Sequence, residues 1–180
     1  MTEQSAAKIA IRALNGLVGK RCWHVVCGHN VGSSFNLFLG KMVRKETPPS
    51  HSKRLRKLEA MGPKQLREND AEFSLLVWTS WRLSKRGEVV LTSSDCEDSG
   101  FSPKEQLRRR LSIRRMLKGS TVKSIRVTSP FYDLTIVFSN GYQLDILCHR
   151  GNMKPSTDPS YTPILSNWNI YVPGDFVVKS

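Results

Sequence analysis

Cys22, His24, Cys27 and His29 fall within one short stretch and are residue types that hold a metal. Thiolate sulfur and imidazole nitrogen are the mixed ligands that zinc takes in tetrahedral sets, and Cys148-His149 stand at the matching part of the second half of the chain. As a strand, the stretch puts Cys22 and His24 on one face and Cys27 and His29 on the other, because side chains alternate with period two. The four converge on one ion only through a sharp turn, so neither a metal nor another cofactor is expected. The Cys residues, Cys22, Cys27, Cys96 and Cys148, contain no C-x-x-C pair. They read as free, partly buried thiols rather than as a disulfide framework.

A second chemistry is the neutralisation of phosphate. The formal net charge is +13 and the pI about 10.0, and two segments supply most of it. Between Lys41 and Glu72 nine basic residues face five acids, giving +4, and between Pro103 and Lys118 seven face one, giving +6. Arg108, Arg109, Arg110, Arg114 and Arg115 are the candidate polyanion-binding residues of the second segment, and Lys53, Arg54, Arg56 and Lys57 form a candidate patch in the first. Neither cluster is interleaved with aromatics, which suits backbone neutralisation better than base stacking.

Catalytic signatures are missing. No P-loop, G-x-S-x-G elbow, H-E-x-x-H or strand-following G-x-G-x-x-G occurs. Asp95, Asp98, Asp133 and Asp145 are acids without a histidine at a spacing that nominates a general-base pair; Asp95 reads as a turn residue and Asp133 as a turn cap. A non-enzymatic protein is expected.

The elements that must carry these residues repeat. Trp81-Arg82-Leu83 to Gly87-Glu88 and the pair Val90-Leu91 read in register with Trp168-Asn169-Ile170, Gly174-Asp175 and Val177-Val178. Upstream, Leu14-Asn15-Gly16 precedes a β-like run from Lys20, as Leu117-Lys118-Gly119 precedes one from Val122. The apolar runs from Phe35 and Tyr132, and those from Phe73 and Tyr142, match in turn. Each half thus offers about five short strands, and an internal duplication is expected. Asn140-Gly141 predicts a type I′ hairpin turn, with positive φ at both residues. In its place the first half carries the basic insertion 41–72.

Ala6 to Leu14 reads as a packing helix stopped by Asn15-Gly16. Ser102 as N-cap, Pro103, Glu105 and Gly119 bound a basic connecting helix whose apolar side is interrupted by Arg110 and Arg114. At 180 residues and 39% hydrophobic content the chain can bury a core without staples. No secretory leader and no run near the roughly 20 apolar residues of a membrane span is read, so the cytoplasm is the expected compartment.

The expected fold is therefore α+β and β-rich. It has a first β unit over 1–92 with the insertion 41–72, a linker and basic helix over 93–118, and a second β unit over 119–180. Leu117-Lys118-Gly119, Val122, Ile125, Val127, Asp133-Leu134, Phe138, Asn140-Gly141, Leu144 and Asn167-Trp168 form a pattern that resembles small bacterial proteins of unknown function of the immunity-protein-like type, found with toxin or phage-defence genes. The resemblance implies a non-catalytic protein that binds another protein. Inhibitors of basic nuclease toxins tend to be acidic, and this chain departs from them in its positive charge. Two functions are expected in order: binding of a polyanion, foremost nucleic-acid backbone, through the basic helix and insertion; or an adaptor or immunity-type inhibitor that binds an acidic protein.

Overall fold

The computed structural model describes residues 12–27, 33–44, 68–97, 100–128, 133–148, 168–171 and 178–179. The chain forms β1 (Cys22–Cys27), β2 (Phe35–Arg44), β3 (Asn69–Val77), β4 (Trp81–Lys85) and β5 (Glu88–Thr92), then α1 (Ser93–Glu97) and α2 (Pro103–Leu117). It continues with β6 (Val122–Thr128), β7 (Asp133–Phe138), β8 (Tyr142–Ile146), β9 (Trp168–Tyr171) and β10 (Val178–Lys179). All pairing is antiparallel, in two five-stranded sheets ordered β1-β2-β3-β9-β10 and β6-β7-β8-β4-β5. The protein is α+β and β-rich. No helix among the described residues is long and apolar enough to cross a membrane.

Alternation decides which face of each strand is buried. In β7, Leu134, Ile136 and Phe138 are buried while Asp133, Thr135 and Val137 are not, the period-two pattern of a half-buried strand. Leu37, Leu39, Leu75 and Val77 of the first sheet join Leu83, Leu144 and Ile146 of the second in one core, closed by Ile113 and Leu117 of α2 and by Leu14 and Leu17. Trp81 ties the layers together. Its ring meets Phe35 edge-on at 5.2 Å, and its Nε1 donates to the Ser33 carbonyl at 2.9 Å.

The sheets do not coincide with the expected units 1–92 and 119–180. Each takes three strands from one half of the chain and the Trp-led hairpin from the other, so β4-β5 pairs with β8 and β9-β10 with β3. Residues 78–80 make the first crossing, and the crossing brings Trp81 opposite Phe35. The registers correspond throughout. Trp81 stands opposite Ile146 and Trp168 opposite Val77, while Ile146 stands opposite Leu134 and Val77 opposite Phe35. β1 and β6 shift register at the same step, after Cys22 and after Val122.

The sheets meet at the Arg21–Thr121 bridge, with reciprocal bonds on either side. Gly19 N–H donates to Val122 and Gly119 N–H to Cys22, at 2.8 and 2.6 Å. Gly119 therefore corresponds to Gly19, not to Gly16 as the triplets suggest.

Two local expectations are corrected. Gly141 alone has positive φ (82°) in the β7–β8 loop, and its N–H donates to Phe138. The loop thus has three residues, in the manner of a type I turn followed by a left-handed glycine, rather than the two of a type I′ turn. Asn140 instead spends its side-chain amide on the Met116 carbonyl at the end of α2. Positive φ at both central residues occurs at Arg86 (54°) and Gly87 (85°), between Lys85 and Glu88. The insertion is also shorter than 41–72. β2 and β3 extend into it, pairing Met42 with Ala71 and Arg44 with Asn69, and 45–67 lies outside the described residues.

Candidate polyanion-binding surface

The helix α2 begins as its sequence dictates. Ser102 Oγ accepts from Glu105 N–H at 3.3 Å, Pro103 opens the first turn, and Gly119 (φ 90°) follows the last. Its buried residues are Ile113 and Leu117, and the helix lies along β1, the outer strand of the first sheet. That packing fixes which side chains face solvent. Between 104 and 118 the exposed residues are Lys104, Arg108, Leu111, Arg115 and Lys118.

Their spacing alternates four and three, which keeps them on one side of a helix. At 1.5 Å per residue the ridge is about 21 Å long. Arg21 continues it: its Nε donates to the Gly119 carbonyl at 3.3 Å, a favourable place for a cation at a helix C-terminus. The strands and turns that meet there, 12–27 and 106–128, contain no acid, so nothing in either segment offsets the positive field.

Of the five arginines expected to bind a polyanion, the ridge contains Arg108 and Arg115. Arg109 is half-buried, stacked 3.9 Å over the Phe101 ring and placed 3.3 Å from Glu105 and 3.6 Å from Asp95. Arg110 donates to the Cys96 carbonyl at 3.1 Å and to Gln106 at 3.2 Å, holding α1 on α2. Arg114 is half-buried and lies near enough to β1 for its charge to act on His24 and Cys27. A run of five arginines cannot share one helix face at 100° per residue, and these radiate accordingly. Lys104, Lys118, Arg21 and Leu111 were missed by the sequence reading, although the four-three spacing was there to find. The second patch, Lys53, Arg54, Arg56 and Lys57, lies outside the described residues.

Glu105 is the one acid on the ridge. Its carboxylate grips Arg108 through two bonds of 2.8 and 2.9 Å, and the guanidinium holds the carboxyl below its usual range. A phosphate must displace this acid to take Arg108. Glu105→Gln, which keeps the backbone cap, is expected to tighten polyanion binding about threefold and to steepen the salt slope by about 0.9; fluorescence anisotropy over a salt series measures both.

Neither a family model, nor a curated protein, nor a solved structure matches this chain. The site therefore rests on its own geometry.

The metal-type residues are dispersed. The register shift at Trp23 leaves Cys22, Val25 and Cys27 on the core side, opposite Leu39, Leu37 and Phe35, with His24 on the other side opposite Phe38. This changes the expected pairing of faces, because an extra residue in a strand inverts its alternation. Burial pushes both the Cys22 and the Cys27 thiol up to about 12. Among the described residues no three His, Cys, Asp or Glu side chains are grouped to hold a metal, and His29 lies outside those residues.

The candidate acids Asp95, Asp133 and Asp145 accept bonds within the fold. Asp95 takes the Thr92 N–H and hydroxyl, Asp133 the Cys148 N–H, and Asp145 Arg82, Thr135 and Gln143. Asp98 lies outside the described residues.

His24 is buried against Trp23 and Phe38, and its Nδ1 has no partner among the described residues. Burial, with Arg114 and Lys118 nearby, lowers its pKa from 6.5 to about 4. The unfolded chain therefore binds the proton more readily, and stability is full above pH 6.5 and lost as pH falls toward 4. The expected loss is up to roughly 3 kcal/mol. Denaturant unfolding at pH 7 and pH 4 checks it: the difference should be smaller in His24→Gln by about that amount.

Proposed function

We propose that this protein binds nucleic-acid backbone without catalysing a reaction, through the ridge of Lys104, Arg108, Arg115 and Lys118 continued by Arg21. The exposed, regularly spaced cations on one helix face carry the reading. Lys104, Arg115 and Lys118 have no acidic partner among the described residues. Their charge is free to replace counterions on a phosphate chain, the main source of sequence-tolerant affinity. The matched registers of the two halves also support their origin as copies of one unit.

Chemical acetylation of lysines, with and without bound nucleic acid, tests the placement. Lys104 and Lys118 should be protected on binding. Lys85, held 4.7 Å over the Tyr142 ring on the second sheet, should react equally in both states. Binding that leaves Lys104 and Lys118 fully reactive contradicts the assignment.

A further inference from the structure

From the spacing of the ridge we infer that its partner is duplex DNA, gripped across the major groove, an inference that rests on the backbone-binding reading above. Arg108 and Arg115 are two helical turns apart, about 10.5 Å along the axis. The major groove of B-form DNA is about 12 Å wide, and the minor groove about 6 Å. Two long guanidinium side chains set at that separation reach the phosphates on the two sides of a major groove. Lys104 and Lys118 extend the ridge beyond both backbones.

Leu111 sits midway between them and is 38% exposed. On a solvent-facing ridge a leucine has no core to join, whereas over the groove it meets base edges and thymine methyl groups. The depression of about 270 Å³ around it is lined by Leu107 and by Lys104, Arg108 and Arg115, with Glu105 and Ser102 at the start of the helix, so the apolar centre has cations on both sides along the ridge.

Single strands are the poorer fit. Sequence-tolerant single-strand binding uses aromatic platforms, and 104–118 contains no aromatic residue. An RNA duplex offers Leu111 no major-groove floor and no thymine methyl group, because the A-form major groove is deep and narrow and excludes side chains. The groove therefore discriminates where the charge alone cannot.

The test uses the full chain with a DNA duplex of about 20 base pairs, each of its strands alone, and the RNA duplex of the same sequence, over a salt series. The DNA duplex is expected to bind about tenfold tighter than either alternative. Leu111→Ala is expected to lower duplex affinity about threefold to tenfold with the salt slope unchanged, since a methyl contact releases no counterion. Equal affinity for duplex and single strand, tighter binding of RNA, or a Leu111→Ala protein with wild-type affinity overturns the groove assignment while leaving backbone binding intact. Failure to bind any of the probes at low salt overturns the backbone reading itself.

Discussion

Trp81→Ala is expected to cost about 3–5 kcal/mol, the cost of removing a large buried aromatic, and more if the Ser33 carbonyl is left without a donor. That is a large part of the 5–15 kcal/mol typical of a whole domain. The reason is positional. Trp81 is the first residue of β4 after the crossing at 78–80, is 1% exposed, packs edge-on against Phe35 of the facing sheet and bonds Ser33. Its backbone N–H also donates to Ser93 Oγ at 3.3 Å, at the start of α1. One residue therefore joins the layers, its side chain reaching Phe35 and Ser33 and its backbone holding the start of α1. Trp81→Phe keeps ring volume and loses the indole bond, so about 1–2 kcal/mol is expected for it. Equilibrium denaturation of the two variants decides the matter. A loss below about 1 kcal/mol for alanine would mean that the exchanged hairpin is not what holds the layers together.

The second large effect concerns binding. Changing Lys104, Arg108, Arg115 and Lys118 together to Gln is expected to weaken DNA binding by about three orders of magnitude at 0.1 M salt. Each phosphate contact contributes a slope of about 0.9, a decade of salt below 1 M separates the two proteins by that amount per contact, and with Arg108 offset by Glu105 about three contacts are lost. The fold should survive, because all four residues are exposed and the core-facing Ile113 and Leu117 are untouched. The contrasting change is Arg109 and Arg110 to Gln. Those side chains hold Phe101, Asp95, Glu105 and the Cys96 carbonyl. Their loss is expected to lower stability by about 1–2 kcal/mol and to leave the salt slope where it was.

These contrasts show what the sequence could and could not disclose. The strands were legible because alternation and turn residues are local. The runs starting at Phe35, Tyr142 and Trp81, and the whole of Val122–Thr128, lie where those patterns put them. The exchange of hairpins was not legible. Trp81 can stand opposite Val77 of its own half or Ile146 of the other with the same apolar match, and only the packing of Trp81 on Phe35 distinguishes them. The register shift after Cys22 was invisible for a related reason, since one extra residue inverts alternation without leaving a compositional mark.

In α2 the charge was legible and its direction was not. Leu107 and Leu111 looked like the apolar side, yet the helix buries Ile113 and Leu117 along β1 and turns Leu111 outward. Which face a short helix buries depends on the neighbour it meets, and that neighbour is a strand far away in the chain.

The most direct test of the account is the salt dependence of DNA binding by the wild-type protein beside the Lys104, Arg108, Arg115 and Lys118 quadruple Gln variant. A wild-type slope of about −3.6, flattening to about −0.9 or less in the variant, is the predicted result when Lys104, Arg115, Lys118 and Arg21 meet phosphates, Arg108 is offset by Glu105, and Arg21 alone remains after the change. Parallel slopes in the two proteins would contradict it and place the binding charge elsewhere on the molecule.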